Sequence, residues 1–176
     1  MFSQDLFLSI HKKGFFVKRK TRQLYDEQAQ QFLPDRFVKG TCPFCNAADQ
    51  YGDGCEKCGK VYVPADLKEP HCALCKTVPT KKTTEHVFFK LSALGPFLYR
   101  YLSETKLQSD VVAYVRNWLS GLKDWDITRD GPYFGIPIPG RKDQFFYVWF
   151  DAPVGYVAAT EAWCAANKKD LSDWWN

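Results

Sequence analysis

The chain has 176 residues, of which 45% are hydrophobic and 16% aromatic, so it can bury a core and general disorder is not expected. Its net charge of +4 is too small to indicate a nucleic-acid or membrane surface by itself. No stretch approaches the roughly 20 apolar residues that span a bilayer, and the acidic Asp5 interrupts the apolar N-terminus, which argues against a secretory signal. We therefore expect a soluble, cytoplasmic protein with no membrane partner.

The first part of the chain, residues 5–25, predicts a helix, a turn at Gly14 and then a strand over residues 15–18. Residues 11–22 contain a cluster of positive charge. Such a cluster can contact phosphates, but a solvent-exposed face of a protein often has the same pattern, and we favour that interpretation. Six basic side chains form this cluster: Lys12, Lys13, Lys18, Arg19, Lys20 and Arg22.

The segment from residue 28 to residue 84 has little helical periodicity and is rich in Gly, Pro and Cys, which is typical of a loop-rich module held by a metal. A secreted disulfide framework would more usually scatter an even number of cysteines, whereas this chain has seven. The arrangement therefore predicts metal ligation in a reducing compartment. Six of the seven cysteines form three C-x-x-C pairs: Cys42/Cys45, Cys55/Cys58 and Cys72/Cys75.

Two of these pairs can supply the four tetrahedral donors of one structural zinc ion, and their spacing allows two choices. The first two pairs have nine residues between them, and Gly52 and Gly54 would free the connecting loop to fold back. The last two pairs have thirteen residues between them and would also form an acceptable site. Four thiolates close the coordination sphere, so the ion is expected to stabilise the fold and not to bind substrate.

An internal repeat of thirty residues relates the pairs to each other. It aligns the first C-x-x-C pair with the third, and residues 32–34 with residues 62–64. In the same register the second pair predicts ligands at Tyr25 and Gln28, which are not cysteines. The repeat indicates two duplicated knuckles, of which the first has lost half. One metal is then the simplest interpretation, and one C-x-x-C pair is left as a remnant.

The next part of the chain is predicted to be helical. Gly95 and Pro96 open one helix, and a second begins near Ser109 or Asp110 and ends near Gly121. One apolar side of the second helix is expected to line the interior, formed by Val111, Val112, Val115, Trp118, Leu119 and Leu122.

Strands are predicted from Trp125 onward. Residues 144–150 form a compact apolar and aromatic run typical of a buried strand. Residues 157–175 predict a closing helix that is rich in aromatic side chains. We interpret His11 and His86 as ordinary surface or core residues.

Three motifs closely resemble those of the methionyl-tRNA synthetase family: F-L-P-D-R-F-V-K-G-T-C at residues 32–42, W-D-I-T-R-D-G-P-Y-F-G at residues 125–135, and Y-V-W-F-D-A-P-V-G-Y at residues 147–156. The resemblance covers nearly the whole chain. It implies an α/β fold in which parts of a class I Rossmann catalytic domain flank a connective insertion of zinc knuckles and helices. The implied parts are the end of the first Rossmann half (1–30), the knuckles (31–90), the helical part of the insertion (91–124) and the return to the catalytic domain (125–176).

The same resemblance bears on the metal ligands. Relatives that have one metal and this nine-residue spacing use the pairs matching Cys42/Cys45 and Cys55/Cys58. Relatives that keep both metals use the outer pairs of the repeat for the second one. Because this chain lacks the upstream outer pair, Cys72 and Cys75 are expected to be orphaned.

Four residues match the methionine pocket of the family: Trp149, Ala152, Pro153 and Tyr156. A thioether is apolar and polarizable, and a tryptophan ring adds a modest attraction of about 1 kcal/mol to it. Such a pocket selects by length and shape, because it has few hydrogen bonds. Without the resemblance, ordinary core packing of an aromatic strand would be favoured.

Arg129 matches a family arginine at the active site, where a guanidinium could pair with a carboxylate or with a phosphate. Beside Asp126 and Asp130, it could equally form a structural ion pair. Asp151 lies within the pocket motif and could simply orient the turn.

The resemblance implies that methionine is activated with ATP and Mg²⁺ to methionyl-adenylate and transferred to tRNA(Met). The H-x-G-H and K-M-S-K-S motifs of the family, and its anticodon-binding domain, are absent from these residues, so the piece alone is expected to be inactive. A stand-alone zinc-knuckle module that binds nucleic acid or a partner protein is the alternative. A dithiol redox protein is disfavoured because no thioredoxin-like βαβ unit surrounds a C-x-x-C pair. The oligomeric state is not predicted.

Overall fold

The computed structural model describes residues 2–175. Helix α1 spans Phe2–Lys12 and strand β1 spans Phe16–Asp26, with Gly14 between them at a φ of +76°. Glycine adopts a positive φ without steric strain, so the chain can reverse at this residue. The predicted helix, turn and strand are confirmed, although β1 continues well beyond the predicted strand.

The longest feature is an antiparallel ribbon formed by β1 and β6 (Thr80–Phe89). The sequence pattern did not predict β6, because its first half consists of Thr and Lys with no alternating apolar residues. Two short strands, β2 (Gln31–Phe32) and β7 (Trp125–Asp126), complete a four-stranded sheet in the order β2-β1-β6-β7. The ribbon therefore joins strands from both sides of residue 30, while the four domain bounds given above stay predictions.

A second, smaller sheet contains β3 (Val38–Thr41), β4 (Gln50–Tyr51) and β5 (Lys68–Cys72) in the order β4-β3-β5. A 3-10 helix at Asp35–Phe37 leads into β3, and a second one at Pro64–Asp66 lies between β4 and β5. So small an apolar core cannot stabilise a module of this size alone. Its buried members are Leu24, Leu33, Val38, Cys42, Cys55, Tyr62, Leu67 and Cys72.

A helical hairpin follows, consisting of α2 (Gly95–Glu104) and α3 (Ser109–Leu119) after a 3-10 turn at Leu91–Leu94. Both predicted helices are confirmed. The predicted inward side of α3 is wrong in part, because Trp118 is 66% exposed and only Leu119 is buried. Among the described elements, α2 is the one that packs most against α3, and it leaves every α3 residue except Leu119 at least partly exposed.

The C-terminal part contains β8 (Thr128–Asp130), β9 (Gln144–Phe146) and α4 (Val148–Asn167), followed by a 3-10 turn at Leu171–Asp173. The strand predicted over residues 144–150 is wrong beyond residue 146. Phe146 and Phe150 stack at 4.9 Å, one at the end of β9 and the other in the first turn of α4.

The closing helix therefore begins nine residues before residue 157 and ends at Asn167, after which Lys168 is left-handed with a φ of 54°. Pro153 and Gly155 lie inside α4, and residues of these types hide a helix from the sequence pattern.

A second core joins the two ends of the described chain. It packs α1 against β6, β9 and α4, together with Ile127 between β7 and β8, which confirms the expected mixture of helices and strands. Every strand pair within residues 2–175 is antiparallel. None of the helices described has the length and apolar character needed to cross a bilayer. The buried members of this core are Phe7, Val87, Ile127, Ile138, Phe146 and Phe150.

Candidate metal centre and substrate site

The three C-x-x-C segments fold into the same tight turn. In each turn, the N–H of the fourth residue after the first cysteine donates to the carbonyl of that cysteine, and the donor residue has a positive φ. The turn also directs N–H groups at sulfur, since Phe44 N and Cys58 N lie 3.4 Å from Cys42 Sγ and Cys55 Sγ respectively. The three carbonyl bonds, 2.8–3.1 Å long, run from Asn46 to Cys42, from Gly59 to Cys55 and from Lys76 to Cys72.

Two of the turns bring four sulfur atoms together. The Sγ atoms of Cys42, Cys45, Cys55 and Cys58 all lie within 4.8 Å of one another. The Cys42–Cys58 and Cys45–Cys55 sulfur distances are 3.9 and 3.5 Å. A tetrahedral zinc ion with Zn–S bonds of about 2.3 Å spaces its sulfur ligands by roughly 3.8 Å. Of the two choices that the spacing allows, the structure assembles this one, and the alternative that joins the second and third pairs is wrong.

The protonation of these thiols indicates the need for a cation. Burial raises the pKa of Cys42, but the N–H groups of Cys45 and Phe44 outweigh burial and lower the pKa to about 7. The N–H of Ala47 lowers the pKa of Cys45, but burial and the three neighbouring thiols raise it to about 11. Four thiols this close cannot all ionise without a positive charge among them, so the donor set fits a metal ion.

The third C-x-x-C pair faces a carboxylate instead of two more cysteines. Oδ2 of the fully buried Asp26 accepts hydrogen bonds from Cys75 Sγ at 2.9 Å and from Thr77 Oγ1 at 2.7 Å. These two bonds hold the pKa of Asp26 far below its usual range. Asp26, Cys72 and Cys75 also bring three potential metal-ligand atoms together. Protein donors already satisfy the carboxylate, however, so this cluster is complete without an ion.

Asp26 begins a turn that shares two features with the three cysteine turns: N–H groups directed at its side chain and a positive φ four residues later. The N–H groups of Gln28 and Ala29 donate to its Oδ1 at 2.9 and 3.1 Å, and Gln30 has a φ of 52°. Asp26 therefore occupies the position of a first cysteine and Ala29 the position of a second. The thirty-residue register predicts Tyr25 and Gln28 at these two positions. The turn that corresponds to the lost half of the first knuckle therefore lies one residue later than predicted.

Gly52 and Gly54, in the loop between the two metal-binding turns, differ in what their neighbours allow. A Cβ atom at Gly52 would lie 2.7 Å from the carbonyl oxygen of Asp35 and 3.0 Å from a ring carbon of Pro64. The nearest atom to a Cβ at Gly54 would be 3.6 Å away. Gly52 is therefore needed because the backbone of Asp35 and the ring of Pro64 approach it closely, and not because the loop is flexible. At Gly54 a side chain would meet only ordinary van der Waals contacts.

The predicted methionine-pocket residues lie on α4 and not on a strand. Trp149, Ala152, Pro153 and Tyr156 follow at helical spacing and line an open depression of about 370 Å³. Trp149 is 65% exposed and Tyr156 is 72% exposed. Ordinary core packing within the described chain is therefore wrong as an interpretation of these residues.

Arg129 lies on β8, next to the start of α4. Its guanidinium is 3.8 Å from the ring centre of Tyr147, the residue before α4, and donates to the carbonyl oxygen of Thr128 at 2.9 Å. Asp126 and Asp130 both turn to His86 instead. Since no carboxylate within residues 2–175 forms an ion pair with Arg129, the structural ion pair considered above is wrong.

His86 was not predicted to belong to any site, yet it is 3% exposed and held between two carboxylates. Its Nδ1 and Nε2 atoms lie 2.7 and 2.8 Å from Oδ2 of Asp126 and Asp130. Burial lowers the pKa of His86, but the bonds to these carboxylates outweigh burial and raise the pKa to about 9. The ring is therefore charged at neutral pH and donates from both nitrogens. The sequence could not predict this role of His86, because its two partners are forty or more residues away and form no local motif with it. The strand that carries His86, β6, was not predicted either.

Comparison with known proteins places the chain among synthetases. The family model described as tRNA synthetases class I (M) matches residues 1–176. The chain is 49% identical over 174 residues to the methionine–tRNA ligase of Acidithiobacillus ferrooxidans, covering 98% of this chain and 26% of that protein. It is 48% identical over 179 residues to the methionine–tRNA ligase of Myxococcus xanthus, covering 99% and 26%. The chain thus spans about a quarter of the length of these curated relatives.

Solved structures with a similar fold are methionyl-tRNA synthetases of Mycobacterium tuberculosis. The apo form aligns with a TM-score of 0.53 at 19% identity, and the form bound by methionyl-adenylate aligns with a TM-score of 0.54 at 18% identity. Each alignment covers 89% of this chain and 27% of that chain. At this identity the likeness concerns the fold.

Proposed function

Since the chain belongs to the tRNA synthetases class I (M) family, we propose that it is a segment of a methionine–tRNA ligase. The identity of 48–49% to two such ligases over nearly the whole chain carries this proposal. A stand-alone zinc module is disfavoured, because the similarity extends through the helices and the C-terminal segment as well as the knuckles.

The proposed reaction has two steps. The carboxylate of methionine attacks the α-phosphate of ATP, which enters with Mg²⁺, and pyrophosphate leaves as methionyl-adenylate forms. A hydroxyl of the terminal ribose of tRNA(Met) then takes the methionyl group, and AMP leaves. The solved relative bound by methionyl-adenylate supports this intermediate. We place the reaction in the cytoplasm.

In this proposal the depression on α4 receives the methionine side chain. Its walls are apolar, and the exposed ring of Trp149 is available to the thioether sulfur, a contact that adds about 1 kcal/mol. Few hydrogen-bonding groups line the depression, so it would select methionine by length and shape.

Arg129 is proposed to bind the reacting end of the substrate. Its guanidinium is unpaired by any described carboxylate and is fixed against Tyr147, so it is oriented before a ligand arrives. A fixed cation of this kind can pair with the methionine carboxylate or stabilise negative charge on the phosphate.

Zinc is the metal proposed for Cys42, Cys45, Cys55 and Cys58. Four thiolates suit a closed tetrahedral zinc site, which supplies folding energy and no position for substrate. The apolar core around these cysteines is small, so the ion would supply much of the stability of the knuckle module.

Methionine-dependent ATP–pyrophosphate exchange, measured on the complete enzyme that contains this chain, tests the proposal. We expect exchange in the unaltered enzyme and a roughly 100-fold lower kcat/KM in Trp149→Ala, because a large apolar wall is lost. Trp118→Ala removes an equally exposed tryptophan from α3 and should leave exchange unchanged. Absence of methionine-dependent exchange in the unaltered enzyme would refute the function, and full exchange in Trp149→Ala would refute the pocket.

A further inference from the structure

Strand β8 separates two sites with different chemistry. Thr128 and Asp130 face β6, where the Thr128 hydroxyl accepts from Val87 N at 2.8 Å and Asp130 bonds to His86. Arg129, between them, faces the ring of Tyr147. This alternation of Asp130 and Arg129 follows from the two-residue period of a strand. Asp126, at the end of β7, bonds to the same His86 ring as Asp130, so its carboxylate also lies on the β6 side.

His86 holds both carboxylates on the β6 side. Asp126 additionally accepts a hydrogen bond from Thr128 N at 3.0 Å through its other oxygen. The other oxygen of Asp130 accepts from Gln144 Nε2 at 2.7 Å and from Thr84 Oγ1 at 3.1 Å. Among residues 2–175, His86 alone bonds to both carboxylates, and of the partners named here it is the group that brings positive charge to them.

Loss of His86 would leave two largely buried carboxylates, which now bond to the two nitrogens of one ring, without that compensating charge. Like charges in such a setting repel each other and seek the nearest cation. The other cation of this region, Arg141, is already paired with Glu85. The cation next to Asp130 in the chain is Arg129, which is unpaired by any described carboxylate. An ion pair there would neutralise the guanidinium and withdraw it from the Tyr147 ring.

We propose that His86 is a positioning residue for Arg129: by holding Asp126 and Asp130 on the β6 side of β8, it keeps the guanidinium free for an anionic group of the substrate. The inference rests on the proposed function, since it concerns the arginine assigned there to the substrate. His86 itself touches no substrate in this arrangement and acts through the two carboxylates.

A double-mutant cycle on the complete enzyme tests this role, with methionine-dependent ATP–pyrophosphate exchange as the readout. Arg129→Gln should lower kcat/KM by about 10²- to 10³-fold, as loss of a charge-stabilising donor does. His86→Asn should lower it by about 10- to 100-fold, since a displaced catalytic group costs up to that much. The double variant should be no slower than Arg129→Gln alone. Lys82→Ala, which removes an exposed ion pair at the far end of β6, is the control and should exchange normally.

A rescue experiment separates positioning from simple loss of structure. Changing both carboxylates to amides in the His86→Asn background removes the groups that would capture Arg129, so exchange should return towards the unaltered rate. This triple variant also carries no unpaired buried charge, so it remains informative if His86→Asn alone fails to fold.

The outcomes distinguish the positioning role of His86 from the substrate role of Arg129. Normal exchange in His86→Asn, a double variant slowed by the product of the two single effects, or no rescue in a folded triple variant would each overturn the positioning role. Normal exchange in Arg129→Gln would overturn the substrate role of Arg129, and the positioning role with it.

Discussion

At the scale of single residues, the charged ring of His86 makes the stability of the fold depend on pH. Its pKa is raised from 6.5 in the unfolded chain to about 9 in the folded protein. A raised pKa stabilises the fold fully below about pH 6.5, and this stabilisation is lost as the pH rises through about 9. The shift corresponds to roughly 3 kcal/mol of unfolding free energy, an order-of-magnitude figure.

Urea unfolding between pH 6 and pH 10 measures this contribution. We expect the unfolding free energy of the unaltered protein to fall across this range, and that of His86→Asn to be lower at pH 6 and nearly flat. His11→Asn changes an exposed histidine on α1 and should keep the slope of the unaltered protein. An equal slope in all three proteins would show that His86 is not charged in the folded state.

At the scale of elements, local motifs were predictable and distant partners were not. The turns at Cys42 and Cys55 follow from bonds within five residues, so C-x-x-C spacing was sufficient to predict them. Strand β6 was missed because β1, more than fifty residues earlier, supplies its hydrogen bonds. The start of α4 was missed because packing of Phe150 against the core outweighs the poor helix propensity of the segment.

The candidate substrate site shows the same division. The family motifs predict Arg129 and Trp149 as site residues, whereas the sequence pattern predicts a strand and a turn where the structure has the start of α4. Whether Arg129 pairs with its neighbours depends on His86, which approaches from β6. A property decided by a residue on a distant strand cannot be read from the residues that flank Arg129.

The two knuckle turns and the Asp26 cluster differ in what holds them together, and metal analysis can separate them. Cys42→Ser should lose the single zinc ion and unfold at a lower temperature, since one of four ligands is gone. Cys72→Ser should retain one zinc, because Cys72 is not among the four clustered cysteines. It lies instead beside Asp26, whose carboxylate is satisfied by hydrogen bonds from Cys75 and Thr77. Zinc retained in Cys42→Ser, or a second zinc that Cys72→Ser removes, would contradict this assignment.

At the scale of the whole molecule, many large apolar side chains of the described residues are exposed, among them Val78 and Phe134. The face of α4 that carries Trp149 and Tyr156 is the exposed surface for which a ligand is proposed. Exposed aromatic patches on soluble proteins usually mark surfaces that bind ligands or pack against other structure. The curated relatives are about four times longer than this chain, so further polypeptide is available to cover such surfaces in proteins of this kind.

We expect the α4 surface to be partly covered in the complete enzyme, since a substrate pocket must exclude water from several sides to bind an apolar group. Hydroxyl-radical labelling should therefore modify Trp149 and Tyr156 several-fold more slowly in the complete enzyme than in residues 1–176 produced alone. Phe44, which is 54% exposed on the knuckle module, provides an internal reference that should react equally in both. Saturating methionine should slow the labelling of Trp149 further in the complete enzyme and leave that of Phe44 unchanged. Equal labelling of Trp149 in the two proteins would mean that the depression on α4 stays an open surface, too shallow to hold the methionine side chain.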